Sequence, residues 1–364
     1  MNKILSYILL FFLLLKFDFS LAQDRESLYQ DAFVQLSEMI DGKQKIDFKK
    51  AVLLVENAYE LGQLDTISFN QNIKFLSNLT KIVIKNNKLI YNEKDSLLVQ
   101  KLAGIFHVMT DSIQMINQSN ERFIHIPFSY DFNDIFGHQN WRQMFVSKLL
   151  ETHQGNCHSL PYLYKIVAQE MGIGEQVHLS LAPNHFYIKT RNVANGWYNT
   201  ELTSGIFPND AWHMASGYIH LDAVVNGVYM KALNEKESIA LCLVDLAQGY
   251  QKTELYDIDF VIKCADKALT TYPNYVNAMI LKTEAMGKKI DNLLTYKYNT
   301  DFSQVLKFKE TAKMFYKLQS DLGKIHQLGY RQMPEEMYLQ WLVSLREEKE
   351  KYSNKKIHNF TKSK

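Results

Sequence analysis

Cysteine is scarce. Three residues in a chain of 364 is an odd, low count, and it excludes a small fold stapled by disulfides. An excess of charge of one sign is also missing: 41 Lys and Arg stand against 39 Asp and Glu, for a formal charge of +2. Lysines and glutamates are interleaved rather than blocked, so nothing calls for nucleic acid and none is expected as a partner. Long apolar runs are absent except at the amino end. There Lys3 precedes an apolar stretch from Ile4 to Leu15, and Ser20-Leu21-Ala22 follows. A basic start, an apolar middle and small residues before Gln23 have the layout of a signal peptide over 1–22. A spanning helix needs about 20 apolar residues, and Lys16 and Asp18 interrupt this one too early. The expectation is an exported chain, periplasmic or extracellular, with no stable membrane span after cleavage.

What remains has length for two or three domains, each with its own core. Residues 23–125 read as a helical region. Phe33, Leu36 and Ile40 recur at helical spacing, as do Leu98, Leu102, Ile105, Met109 and Ile113. Near Ile126-Pro127 the texture becomes loop-like, and Trp141 to Thr152 is expected to be a helix leading into Gly155. This opens a central unit, 126–233. From Asn234 the chain is helical again, starting at Asn234-x-x-Glu237, a capping box. Leu246-Ala247-x-x-Tyr250 and Ala265-x-x-Ala268-Leu269-x-x-x-Pro273 match the small-residue and proline positions of a tetratricopeptide helical hairpin. Ala278 and Leu281 begin a second hairpin within 234–330, where Val305 to Ile325 mark a long helix. The last segment, 331–364, holds a helix marked by Met337, Trp341 and Leu345 and a lysine-rich tail. Cys242 and Cys264 lie on apolar helical faces and read as small buried hydrophobes, with a bridge between them left open.

Cys157 is different, having no apolar face around it. It lies in Gln154-Gly-Asn-Cys-His-Ser-Leu-Pro161, ahead of a helical stripe of Leu160, Leu163, Val167 and Met171. Proline is tolerated in a first helical turn, so Pro161 puts the helix start at about Asn156 to His158. Cys157 is then at the amino end, where aligned peptide dipoles favour a thiolate. Gly172 and Gly174 stop the helix. Val177, Leu179 and Leu181 alternate as on a half-buried strand, Pro183-Asn184 breaks it, His185 opens a second strand, and Trp197 to Leu202 form a third. A nucleophile, a base and an orienting group on such elements are the parts of a thiol acyl-transfer site.

Register decides whether the parts meet. With a loose turn centred on Val193, His185 faces Glu201, and Asn199 lies two along on the same face. With a tight Asn195-Gly196 turn, His185 shares its face with Leu202 instead. The looser turn is preferred, since an apolar partner would waste a histidine opening a strand. Cys157 is then the nucleophile, His185 the base, and Glu201 the orienter, with Asn199 as the alternative third member. The Cys157 backbone N–H is the default oxyanion donor, with Gln154 as an added one. His153, Cys157, His158 and His185 also suggest a zinc set, but their spacing matches no closed site. Neither a metal nor a cofactor is expected.

The stretches Gly155-x-Cys157, Pro183-x-His185 and Gly196-Trp197-x-x-x-Glu201-x-Thr203 resemble the transglutaminase-like superfamily, whose core is that of papain-like thiol enzymes. The likeness covers roughly Asn133 to Trp212. It is strongest to a bacterial branch in which tetratricopeptide helices follow the core. The resemblance implies an α+β fold, predominantly α. Its papain/transglutaminase-like core would have a helix carrying Cys157 and an antiparallel sheet carrying His185 and the acid, flanked by helical regions. It implies a cysteine protease, amidase or transglutaminase-like enzyme acting on peptide or protein amides, hydrolysis favoured over cross-linking. A protein partner would dock on the carboxyl-terminal helices. The family has aspartate where this chain has Glu201. The alternative is a silent core serving as an interaction scaffold.

Overall fold

Helix accounts for 59 % of the described residues and the sheets are small, so the fold is α+β and predominantly α. The computed structural model describes residues 25–353 except 88, 117–118 and 254–255. The signal-peptide segment 1–22 and the lysine-rich end after 353 lie outside the described residues, as does the Leu345 side chain. The amino-terminal helices are α1 (25–41), α2 (Phe48–Tyr59), α3 (Thr66–Asn86) and α4 (Ser96–Thr110). Strands β1 (Ile113–Ile116), β2 (Arg122–His125) and β3 (Ser129–Tyr130) follow, then α5 (Val146–Thr152), β4 (Gln154–Gly155) and α6 (Ser159–Glu170). The three-stranded sheet is β5 (His178–Ala182), β6 (His185–Asn192) and β7 (Gly196–Thr200), followed by short α7 (Asp210–Met214) and α8 (Leu221–Val225). The carboxyl-terminal helices are α9 (Glu235–Gln251), α10 (Ile258–Thr271), α11 (Val276–Asn292), α12 (Lys309–Gln327) and α13 (Glu335–Ser353). Among the described residues no helix is long and apolar enough to cross a membrane.

The chain divides into two units. The first joins the segment up to Thr66 with Glu235–Ile325. Its centre is α9, in which every residue from Glu237 to Ala247 is buried; α2 and α10 pack on it, and α11 packs on α10. Tyr29, Tyr250 and Phe260 form an aromatic knot, with ring centroids 4.5 Å apart for the two tyrosines. Cys242 and Cys264 are fully buried in this core and unbridged.

The second unit joins Ile67–Asn234 with the chain from His326 onward. Its central helix is α6, buried from Ser159 to Ala168. One side meets the antiparallel sheet β5–β6–β7 and another meets α4, where the Tyr164 hydroxyl donates to Leu102 O at 2.9 Å. The helical stripe running to Ile113 in the sequence stops at Thr110. Beyond Asp111 the burial alternates, with Ile113 and Met115 half-buried and Gln114 and Ile116 exposed, the period of a strand. The helix expected over Trp141–Thr152 is also broken, since Phe145 is extended between a 3₁₀ turn at Trp141–Met144 and α5.

Two turns set the sheet. Pro183 fixes one corner of the β5–β6 turn, and Asn184 takes the left-handed φ of +56° that a short amide side chain tolerates. His185 therefore begins β6 opposite Ala182. The β6–β7 loop holds 193–195 and is centred on Ala194, one residue beyond the expected Val193, with Asn192 paired to Gly196 at φ +68°. Lys189 pairs with Asn199, so His185 and Glu201 share a face, offset diagonally rather than directly opposed. The tight Asn195-Gly196 turn does not form; the Asn195 N–H is held by Asn192 Oδ1 at 2.7 Å.

Gly155 marks the closest backbone approach near the thiol. A Cβ there would stand 2.5 Å from Ser159 Oγ and 2.8 Å from Leu149 Cδ1, and that hydroxyl receives the Asn156 N–H at 3.1 Å. Gly155→Ala should destabilise the second unit by about 1–3 kcal/mol. Denaturant unfolding followed by a probe in that unit checks it, and an unchanged midpoint would refute the steric reading.

Candidate active site

Asn156 builds the turn that presents the thiol. Its buried side chain accepts the N–H groups of His158 and Ser159 at 3.0 Å each and donates to Ile135 O at 3.0 Å. That is a side-chain cap on α6, formed three residues ahead of the first helical position, Ser159. Cys157 lies inside the capped turn, in the field of the helix amino terminus. The cap takes the N–H groups of the two residues after Cys157, not that of Cys157 itself.

Around the sulfur a chain of polar contacts runs through buried space. Glu201 Oε2 lies 2.6 Å from His185 Nε2. His185 Nδ1 lies 3.0 Å from the Tyr338 hydroxyl, which donates to Cys157 Sγ at 3.0 Å. Glu201 Oε1 accepts the Thr203 N–H at 2.9 Å, so both carboxylate oxygens are engaged. Exposure is 7 % for Cys157, 1 % for His185 and Glu201, and 0 % for Tyr338. One proton pattern meets these three contacts: Nε2–H donates to the carboxylate, Nδ1–H to the tyrosine oxygen, and the tyrosine O–H to a thiolate, whereas a protonated Cys157 Sγ would donate to Asn184 O at 3.7 Å.

The electrostatics favour that pattern. Burial pushes the Cys157 thiol up, but hydrogen bonding and charge from His185, with help from Tyr338 and His158, bring it below its ordinary value. Burial pushes His185 down, yet Glu201 and Cys157 together lift it to about 10. Glu201 is raised by burial and lowered further by His185, ending below the usual carboxylate range. These shifts run towards thiolate, imidazolium and carboxylate, the set that can deliver a sulfur nucleophile and then a proton to a leaving group.

Aromatic rings enclose the set. Trp341 meets the His185 ring edge-on at 5.0 Å, and Trp212 lies 5.3 Å from Trp341. His213 stacks on Tyr187 at 4.2 Å, and Tyr130, brought beside Gly155 by the β3–β4 pair, packs against the cluster of Cys157, Tyr338 and Leu342.

Of the residues singled out from the sequence, Cys157, His185 and Glu201 come together. Asn199 does not: it lies opposite Lys189, and its Nδ2 donates to Pro208 O at 3.1 Å and Asp210 Oδ1 at 2.9 Å. The register carries it along the strand away from His185. Gln154 stands exposed on β4, outside the buried set. His153 stacks on Phe128, and His158 Nδ1 lies 2.9 Å from Met144 O. Among the described residues no three His, Cys, Asp or Glu side chains converge as metal ligands would.

Sequence reasoning missed Tyr338 and His213. The marked stripe of α13 ran through Met337 and Trp341, whereas Tyr338 and Leu342 are the buried pair and Met337 is 41 % exposed. A Tyr338–Leu342 spacing also fits a helix face, but nothing in it points to a cysteine 181 residues away.

No protein-family model matches the chain, and no curated protein matches it. Among solved structures it is similar to a crystal structure of menin, described as revealing the binding site for the Mixed Lineage Leukemia (MLL) protein. Identity is 10 %, 91 % of each chain is covered, and the TM-score is 0.31, a value at which two chains need not share a fold.

His213 is fully buried with both ring nitrogens unpartnered. Burial holds its pKa down at about 4, against the pull of Glu201. An unfolded chain takes up this proton near pH 6.5, so the stability His213 contributes above that pH is lost as pH falls towards 4. His213→Phe keeps a ring on Tyr187 and has no proton to gain. Unfolding across a pH series should show the acid loss reduced by about 3 kcal/mol in the variant; parallel curves would refute it.

Proposed function

We propose that the chain is an exported thiol enzyme of acyl transfer, hydrolysing amide bonds of peptides or proteins, with a core of the transglutaminase and papain-like kind. The observation that carries this reading is the buried His185, its Nε2 on Glu201 and its Nδ1 on the side of the Cys157 sulfur. An imidazole in this position both lowers the thiol pKa and stands where a leaving amine needs a proton. The resemblance of Gly155-x-Cys157, Pro183-x-His185 and Gly196-Trp197-x-x-x-Glu201 to that superfamily agrees with it. Glu201 takes the family's aspartate position, and its longer side chain still reaches the imidazole.

In the reaction the Cys157 thiolate attacks the carbonyl carbon and forms the C–S bond. The carbonyl oxygen becomes an oxyanion facing the Cys157 N–H. As the C–N bond breaks, the His185 imidazolium gives its Nδ1 proton to the departing amine, leaving a thioester. Water, losing a proton to His185, attacks the thioester and releases the carboxylic acid and the thiolate. Glu201 keeps the imidazole in one tautomer and balances its charge throughout. Hydrolysis is favoured over cross-linking because water is always at hand. No cofactor is needed. The α9–α11 helices, with tetratricopeptide-like residues at their contacts, are the proposed surface for a protein partner.

A second reading, a catalytically silent core acting as a scaffold, is favoured by the Tyr338 hydroxyl, which contacts both the sulfur and the imidazole at 3.0 Å. Alkylation separates the two. At neutral pH iodoacetamide should label Cys157 at least about tenfold faster than Cys242 or Cys264. His185→Ala should remove that advantage, and Cys157→Ser should lower peptide-amide hydrolysis by about 10²-fold or more. Equal labelling of the three thiols would leave the scaffold.

A further inference from the structure

The site is occupied by the protein itself. For thiol attack, a carbonyl carbon must come within about 3–3.5 Å of the sulfur, and the leaving group must lie beside the imidazole. Tyr338 Oη is 3.0 Å from Cys157 Sγ and 3.0 Å from His185 Nδ1, so it fills the point a reacting amide has to reach. Trp341, one turn along α13, covers the His185 ring. The approach is pinned by Asn184 Nδ2, which donates to Met333 O at 2.9 Å, and by His138 and Glu335 at 2.9 Å on the surface.

The walls that receive α13 are aromatic. Tyr338 packs on Phe136 with centroids 5.5 Å apart, and Trp341 packs on Trp212 at 5.3 Å. Tyr130 and Ile135 complete that side. Such walls prefer flat rings in offset or edge-on contact. The hold on α13 is narrow: Tyr338 and Leu342 are buried, while Met337, Leu339 and Val343 are exposed.

We propose that the buried face of α13 is an internal stand-in for substrate, filling the space of an amide flanked by an aromatic side chain, and that the enzyme works once α13 has left it. This rests on the thiol-enzyme reading above and adds to it a substrate class and a means of control. A hydroxyl serving instead as a proton relay between Cys157 and His185 would make Tyr338 necessary rather than obstructive, and the two have opposite consequences.

The test uses the full chain and two alkylating probes, iodoacetamide and N-benzyl iodoacetamide, with labelling at each cysteine read by mass spectrometry. Tyr338→Ala should speed Cys157 labelling by about tenfold or more, and Leu342→Asp, which leaves the hydroxyl in place but puts a charge in the apolar cluster, should do the same. Cys242 and Cys264 should stay protected, showing that the first unit is folded. The benzyl probe should gain more than iodoacetamide from either substitution. Unchanged or slower labelling in both variants would overturn the internal occupant, and an equal gain for both probes would overturn the aromatic preference. His185→Ala added to Tyr338→Ala keeps the two readings apart. If it leaves the accelerated rate untouched, the occupant stands and the thiol–imidazole pair falls. If His185→Ala slows the parent while Tyr338→Ala speeds nothing, the pair stands and the occupant falls.

Discussion

The contact on which the site depends is the one between His185 and Glu201. A carboxylate removed from water is costly unless an opposite charge and hydrogen bonds satisfy it, and Glu201 is almost wholly buried. His185 Nε2 engages one oxygen and the Thr203 N–H the other. In return the carboxylate keeps the imidazole protonated far above its ordinary range, and the imidazolium brings the Cys157 pKa below its ordinary value despite burial. Remove the carboxylate and the order reverses: desolvation would drive His185 neutral and the thiol protonated.

That coupling explains why the local backbone is so constrained. The β5–β6 turn, with Asn184 in a left-handed conformation, puts His185 at the head of its strand. The three-residue β6–β7 loop keeps His185 and Glu201 on one face. The Asn156 cap and the close approach at Gly155 hold the sulfur in its turn. Each device fixes position, and a charged set in a low-dielectric space gains most from fixed position.

Enclosure by α13 has two physical effects. It strengthens every electrostatic term among Cys157, His185 and Glu201 by excluding water. It also places a hydroxyl where chemistry would begin, satisfying thiolate and imidazolium at once. A site so satisfied is stable and closed. The ring of His213, 6.5 Å from the His185 ring, has both nitrogens unpartnered, as are the hydroxyls of Tyr130 and Tyr187 nearby, and burial keeps it neutral.

Much of this was written locally. The helix start ahead of Pro161, the break at Pro183-Asn184, the alternation on β5 and the helical stripes of α9 and α10 are short-range patterns, set by backbone sterics and by apolar spacing. They sufficed to single out Cys157, His185 and Glu201 and the predominantly helical class. Asn199 and Glu201, two apart on one strand, could not be told apart from the sequence, because the choice turns on where a loop is centred, and that shifted by one residue. Nor could Tyr338 be found: its role comes from α13 packing on residues near 136, 157 and 185, far away in the chain. Periodicity shows that a helix has an apolar face, but it carries no record of what that face will cover; only close packing of the whole unit settles the partner.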